Sequence, residues 1–316
     1  MKAWLKWTLI VIGCLFVIGA AIVLWVYNKP HRNIASETAI AVNTDTLIHA
    51  FIANEKKANT LYLDKVVSLV GVVQAVSKNS VNQWVVNIKP ATGIGSITAV
   101  FTAEQKQIQP SDSIAYKGIC TGFFPEENNV VINEAALLYQ GKTTMKITTP
   151  ISFVSGKKDT LLTFTTSNGS IKFSSPTDPD VSAINTEVSS KIDAAGDIHF
   201  SLLFKGFRFK YAEMQTHFNE EYIESQTYPR ATFTGRIQNS KNIDFTKDGR
   251  YTVTIVGSLT MHGVTKPLST NGLFYIKNGK ITATASFGVL MADFNIDASA
   301  VTEKVDLEIS CNYTPL

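Results

Sequence analysis

His217 and the carboxylates that follow it are the side chains whose types and spacing could do chemistry. Glu220, Glu221 and Glu224 come three, four and seven residues after the histidine, so a helix would place them on one face. Such a cluster could transfer protons or bind a metal ion. A zinc-binding helix, however, needs a second histidine four residues after the first, where this chain has Glu221. We therefore favour a solvated helical face over a catalytic or metal site.

Other signatures of catalysis are missing from the sequence. It has no Gly-x-Ser-x-Gly nucleophile turn, no phosphate-binding loop and no dinucleotide-binding glycine pattern. Its three cysteines, Cys14, Cys120 and Cys311, lie far apart in the chain. A Cys120–Cys311 disulfide stays open, but two buried free thiols are favoured. We predict no catalytic residues, no metal ion and no cofactor.

Apolar side chains that alternate with polar ones are a stronger signal. Alternation of this kind is typical of a strand with one dry face and one wet face. If the dry faces of successive strands converge, they enclose an apolar space that could hold a ligand or be filled by side chains. We predict that the ligand would contact twelve such residues: Ile198, Phe200, Leu202, Phe204, Phe233, Ile237, Val253, Ile255, Phe274, Ile276, Phe287 and Val289.

The elements that must position these residues lie in the C-terminal region, residues 147–316. Eight or nine strands can be read there, separated by turns such as Lys247-Asp248-Gly249 and Lys277-Asn278-Gly279. One stretch, Met214–Ile237, begins as a short amphipathic segment, breaks at Pro229 and resumes as an alternating strand. This pattern predicts an antiparallel up-and-down barrel with one helical crossover.

Three motifs in this region resemble the YceI-like family. They are Met214-Gln215-Thr216-His217-Phe218, Tyr228-Pro229-Arg230-Ala231-Thr232-Phe233, and the segment from Gly257 to Leu268 that contains Leu259-Thr260-Met261-His262-Gly263-Val264-Thr265-Lys266-Pro267. The resemblance implies a lipocalin-like barrel that binds polyisoprenoid or similar lipids in a bacterial envelope. Where the family often has Arg-Asp before the histidine, this chain has Met214-Gln215. A second arginine of the family is replaced in Met291-Ala292-Asp293-Phe294-Asn295-Ile296, so a charged head-group contact is not expected.

The middle region, residues 44–142, predicts a helix and then five short strands. Thr44 has the character of a helix N-cap, and the helix should end near Tyr62. The Gly118-Ile119-Cys120-Thr121-Gly122-Phe123 segment and the preceding helix resemble the tRNA_anti-like OB-fold domains. A nucleic-acid partner is not expected, because the net charge of the whole chain is only +3 and the lysines of this region are balanced by carboxylates.

The N-terminus carries an uncharged apolar run, Trp7–Tyr27, that is long enough to cross a bilayer as a helix. We predict a transmembrane anchor over residues 1–28 and a linker over residues 29–43. Lys2 and Lys6 precede the run, whereas Lys29 and Arg32 follow it, so charge only weakly decides its orientation. A cleaved signal peptide, or lipoprotein processing at Val11-Ile12-Gly13-Cys14, is the alternative.

These observations predict a mainly β protein with an OB-like barrel, a lipocalin-like barrel and one N-terminal membrane helix. The preferred function is binding of an apolar, isoprenoid-type lipid by a single-pass protein of the bacterial inner membrane, with its soluble domains in the periplasm. The alternative is an interaction protein with a filled barrel, whose OB-like surface docks another envelope component. The sequence does not identify a protein partner.

Overall fold

Two closed β-barrels make up most of the protein. The computed structural model describes residues 16–25, 32, 34–102, 108–142, 162–167, 169–299 and 301–316. Alternating sequences become strands in both barrels, so the prediction of a mainly β fold is confirmed.

The first barrel follows two short helices. The helices are α1 (Thr44–Ala53) and α2 (Glu55–Tyr62). The strands are β1 (Ile40–Ala41), β2 (Val66–Lys78), β3 (Trp84–Lys89), β4 (Ser96–Phe101), β5 (Asp112–Phe124) and β6 (Asn129–Lys142). The barrel order is β2-β3-β4-β6-β5, with β5 pairing back to β2 and only β4 and β6 running parallel within the ring. A five-stranded barrel is the architecture of an OB-fold.

The helical segment differs from its prediction in two details. Asn43 is the N-cap in place of Thr44, because its side chain accepts a hydrogen bond from the Asp45 amide at 2.8 Å. Thr44 instead donates to the Val70 carbonyl at 2.7 Å. The single predicted helix is split at Asn54, an extended residue whose side chain caps α2.

The second barrel is built from the C-terminal strands. They are β7 (Thr163–Thr166), β8 (Ser170–Ser174), β9 (Ser182–Asn185), β10 (Val188–Asp193), β11 (Asp197–Leu203), β12 (Phe207–Phe209), β13 (Arg230–Ile237), β14 (Gly249–Met261), β15 (Val264–Lys277), β16 (Lys280–Leu290) and β17 (Lys304–Pro315). The ring order is β17-β16-β15-β14-β13-β11-β10-β7, and β7 pairs with β17 to close it. The short strands β8, β9 and β12 extend the sheet from β17 at one end.

The predicted helical crossover lies between β12 and β13. It consists of α3 (Ala212–His217) and a π-helical turn (Phe218–Tyr222), and the chain then passes Pro229 and enters β13. In a π-helical turn, each backbone hydrogen bond joins residues five apart instead of four apart. Such turns are frequent at functional sites. The crossover covers the same end of the barrel as the β14–β15 turn.

The predicted membrane anchor, Trp7–Tyr27, falls largely outside the described residues. Within it, residues 16–25 are helical, and their apolar side chains are exposed, with Phe16 at 78% and Trp25 at 69%. In the part of the chain that the structure describes, no helix combines the length and the hydrophobicity that a membrane span requires.

The two barrels contact each other through a small apolar patch and several polar pairs. Phe124 and Val131 of the first barrel pack against Leu203 of the second. Arg230, at the start of β13, makes a bidentate ion pair with Glu55 at 2.6 and 2.7 Å. The same guanidinium donates to the Phe123 carbonyl at 3.0 Å. Because all of these groups are largely buried, the contact fixes the first barrel against the wall of the second.

Glu187 is the most deeply buried carboxylate of this contact. Its side chain accepts a hydrogen bond from the Asn133 amide, and the Arg208 guanidinium lies 3.9 Å away. Burial raises the pKa of Glu187 above its ordinary value, and the nearby positive charge of Arg208 only partly opposes that shift. The folded protein therefore holds a proton on this group more tightly than the unfolded chain does.

Replacing this carboxylate should change how stability depends on pH. A group whose pKa is raised by folding contributes its full stability at pH values below its unfolded-state pKa. That contribution is lost as the pH rises through its folded-state pKa. Glu187→Gln should therefore unfold at a higher temperature than the wild type at about pH 8, by the equivalent of about 1 to 2 kcal/mol. The difference should shrink towards about pH 4.5. The unfolding temperatures are measured by calorimetry, with Glu308→Gln, on the exposed side of β17, as the control. If the difference in unfolding temperature between Glu187→Gln and the wild type did not depend on pH, the result would contradict this account.

A candidate ligand cavity in the second barrel

An apolar cavity of about 390 Å³ occupies the second barrel. Its walls come from the inward faces of the ring strands, and its roof comes from the crossover. Apolar side chains provide nearly all of the lining. The volume falls within the range of roughly 300–1,000 Å³ that is usual for small-molecule sites. The barrel is therefore hollow at one end, which the sequence pattern alone could not decide.

Most of the residues predicted to face the lumen line this cavity. They are Ile198, Phe200, Leu202, Phe204, Phe233, Ile255, Phe274, Phe287 and Val289. Phe204 does so from a 3-10 turn, Phe204–Gly206, and not from the strand that the alternation suggested. That any of these side chains contacts a ligand stays a prediction.

Three predicted residues are not part of the cavity. Ile237, Val253 and Ile276 are completely buried in the core at the opposite end of the barrel. There the rings of Phe164 and Phe245 lie 5.5 Å apart and help to fill the space. These side chains do face inwards, but tight packing leaves no room beside them. They close the floor of the cavity instead of lining it.

A cluster of phenylalanines forms the roof, and of its members only Phe204 was predicted to face the lumen. Phe218 of the π-helical turn lies at its centre, with its ring 5.0 Å from Phe209 and 5.3 Å from Phe207. Phe173 of β8 and Phe204 are also within 6.3 Å of it. The alternation in Phe207-Arg208-Phe209 was the available signal, but a run of three residues is too short to identify a strand from sequence.

Polar groups reach the cavity beside the roof. His217 and Glu221 both line it, and the His217 Nδ1 atom lies 2.8 Å from a Glu221 carboxylate oxygen. Glu213 approaches the other ring nitrogen at 3.5 Å. Glu220 makes no such pair with the histidine, and Glu224 lies instead 3.7 Å from His262. The cluster is half exposed, and the described residues include no group of side chains arranged to hold a metal ion.

His262 joins three segments at the same end of the barrel. It occupies the β14–β15 turn in the left-handed region, with φ of 51°, and the following Gly263 has φ of 73°. Its Nδ1 atom lies 3.0 Å from the carbonyl oxygen of Phe294, in the 3-10 helix Met291–Phe294. Its ring packs edge-on against Tyr228 at 4.5 Å. This histidine therefore ties the turn to two neighbouring loops.

A thiol and a phenol lie at the inner end of the cavity. Cys311 and Tyr313 of β17 line it, and the Tyr313 hydroxyl donates to Ser190 at 2.8 Å. Cys311 and Cys120 are both buried and free, as the sequence favoured. Burial raises the pKa of each thiol to about 12, so both are protonated at neutral pH.

Comparison with known proteins agrees with this architecture. The model of the YceI-like domain matches residues 141–313, which is more than half of the chain. The chain belongs to the YceI-like family. A second family model, tRNA_anti-like, matches residues 1–136, so it covers most of the first barrel and the segment before it. No protein with a curated description matches the chain.

Solved structures similar to the YceI-like barrel come from several bacteria. A polyisoprenoid binding domain from Saccharophagus degradans is 15% identical, with a TM-score of 0.44, and the match covers 50% of this chain and all of that one. BcnA from Burkholderia cenocepacia is 15% identical over 46% of this chain and 95% of its own, with a TM-score of 0.39. A YCEI protein from Campylobacter jejuni is 14% identical over 55% of this chain and 94% of its own, with a TM-score of 0.32.

The two buried cysteines allow a direct test that the YceI-like cavity admits apolar molecules. Burial raises the pKa of each thiol to about 12, so both are mostly protonated at about pH 9. Only Cys311 lines the cavity. N-phenylmaleimide, an uncharged reagent, should therefore modify Cys311 at least ten times faster than Cys120, as measured by peptide mass spectrometry. Equal rates for the two thiols would show that the cavity is closed to such molecules.

Proposed function

We propose that this protein holds an apolar, isoprenoid-type lipid in its YceI-like barrel, as a membrane-anchored component of the bacterial envelope. The observation that carries the proposal is the hollow, almost wholly apolar lumen in a chain of this family. A methylene group is about as large as a water molecule, which occupies ~30 Å³ in the liquid. The cavity would therefore accommodate roughly a dozen methylene groups. A longer chain would extend beyond the cavity.

The chemistry of the lining favours a ligand bound by its hydrocarbon part. Each buried methylene contributes about 0.8 kcal/mol, so a filled cavity would contribute about 10 kcal/mol before the cost of immobilising the ligand. No ion pair is needed for such binding. Glu213 and Glu221 lie beside the roof, where their negative charges would repel an anionic end group. An uncharged end, such as an alcohol, suits this site better than a phosphate.

The proposed role is one of binding without catalysis. Besides Tyr222 and several threonines, the polar groups at the cavity are one half-exposed His–Glu cluster and the buried Cys311 and Tyr313 at its inner end, and among these described residues no nucleophile faces a base. The first barrel would serve as a spacer or a partner platform, because it is fixed to the wall of the YceI-like barrel through Arg230 and Glu187. A filled barrel that acts only as an interaction module is the second candidate, and the 390 Å³ cavity disfavours it.

Filling the lumen should weaken ligand binding without unfolding the barrel. Ala283 of β16 lines the cavity, whereas its neighbour Thr282 points outwards. Ala283→Phe should weaken binding of all-trans-retinol, a fluorescent isoprenoid alcohol, at least tenfold, or about 1.4 kcal/mol. Thr282→Phe should leave the affinity unchanged. Circular dichroism would confirm that both variants fold, and equal retinol affinity in both would contradict a site in the lumen.

The membrane part of the proposal rests on the apolar run Trp7–Tyr27. With the N-terminus in the cytoplasm, both barrels would lie in the periplasm. Alkaline phosphatase, which is active only outside the cytoplasm, should therefore be active when fused after Leu316 of the full-length chain. β-Galactosidase, which is active only inside the cytoplasm, is fused at the same residue as the control and should be inactive. The reverse pattern of activities would overturn the proposed location.

A further inference from the structure

We propose that a lateral slot between β15 and β16 is the portal through which an apolar chain enters and leaves the cavity. This inference rests on the proposed function and specifies how its ligand is loaded. The slot is a gap in the barrel wall, bounded by the upper half of each strand. A linear hydrocarbon could pass through such a gap sideways, without displacing the phenylalanine roof.

The pairing between the two strands defines the slot. β15 and β16 are paired only from Gly272 and Ala285 to the turn at Lys277–Lys280. Beyond Gly272, β15 continues to Val264 and pairs only with β14, and beyond Ala285, β16 continues to Leu290 and pairs only with β17. The ladder between them is therefore absent over eight residues of β15, from Val264 to Asn271. The Met291–Phe294 helix, held by His262, bounds the gap at the top.

A proline keeps this part of the wall from pairing. Pairs in an antiparallel ladder alternate between hydrogen-bonded and non-hydrogen-bonded, and the pair that closes a two-residue turn, Met261 and Val264 here, is hydrogen-bonded. Pro267, opposite Ser258, therefore lies in a non-hydrogen-bonded pair, so its nitrogen faces the slot. A proline nitrogen has no hydrogen to donate, which disfavours a strand beside it. The slot is thus a poor place for an added peptide strand and remains available to a hydrocarbon.

The inward-facing residues of β15 are less buried beside the slot than in the paired half of the strand. Phe274 and Ile276, in the paired half of β15, are fully buried. Leu268 and Thr270, in its unpaired half, face the same lumen but are only half-buried, and so is Phe287 across the slot. All three line the cavity. On the opposite wall, Leu202 and Phe233 are buried, whereas Phe200 is half-buried as well.

The lining of the slot suits a hydrocarbon better than the roof does. Leu268, Thr270, Ala285 and Phe287 carry no charge, whereas the way past the roof is flanked by the exposed His217–Glu221 pair. An apolar chain that passed this pair would have to approach charged and hydrated groups. The geometry therefore assigns the hydrocarbon to the slot and leaves the polar end of the ligand beside the roof.

A cross-link across the slot tests this assignment. Ser269→Cys and Leu290→Cys would place two exposed, outward-facing thiols on its opposite edges, in the full-length chain with Cys14→Ser. The protein is loaded with all-trans-retinol and then treated at about pH 7, where Cys120 and Cys311 are protonated, with a short bismaleimide, which bridges the slot. Transfer of retinol to an excess of phosphatidylcholine vesicles is followed by its fluorescence. We expect transfer to be at least ten times slower than before cross-linking.

The matched control joins the same residue of β16 to its hydrogen-bonded neighbour strand. Leu290 and Lys304 are register partners, so Leu290→Cys with Lys304→Cys takes the same bismaleimide without crossing the slot. Its transfer rate should stay unchanged. Equal rates in the two cross-linked proteins, with retinol bound in both, would overturn the portal and leave the binding function intact. Failure of the unmodified chain to bind retinol would overturn both.

Discussion

Closure of the second sheet by β7 and β17 is the constraint on which the rest of this structure depends. Thr314 and Pro315 pair with Thr165 and Phe164, and this short contact turns an open sheet into a ring of eight strands. A ring of that size has an interior that side chains can just fill or that can hold one small ligand. The protein does both, at different ends. Ile237, Val253 and Ile276 fill one end completely, and smaller residues such as Ala231 and Ala283 leave space at the other.

The two barrels are coupled at the wall of the lumen. Leu203, which packs against the first barrel, is flanked by Leu202 and Phe204, which line the cavity. Arg230, which binds Glu55, directly precedes Ala231, another lining residue. Neighbouring residues of a strand point to opposite faces. One face of this stretch therefore contacts the first barrel, and the other face lines the cavity. The contact with the first barrel and the lining of the cavity therefore share one stretch of backbone.

The sequence predicted the fold well because period-two alternation reports directly on burial. It correctly predicted inward faces for β11, β13 and β16, and the Met214–Ile237 crossover. It could not separate the floor from the cavity, since Val253 and Ile255 have the same pattern although only Ile255 lines the open space. That difference depends on how residues from distant strands pack. The slot was equally hidden, because interrupted pairing between β15 and β16 is a property of two strands together. Pro267 was visible in the sequence, but its meaning depended on the pairing register.

The central claim is that the hollow end of the barrel is occupied by a lipid. The most direct test is mass spectrometry of an organic extract of the full-length chain, purified from a bacterial membrane fraction with extensive detergent exchange. The account predicts one uncharged, long-chain isoprenoid lipid recovered in near-equal amount to the protein, and much less of it with the Ala283→Phe variant purified in the same way. Recovery of no chain lipid, or only of bulk phospholipids in the proportions of the membrane, would contradict it.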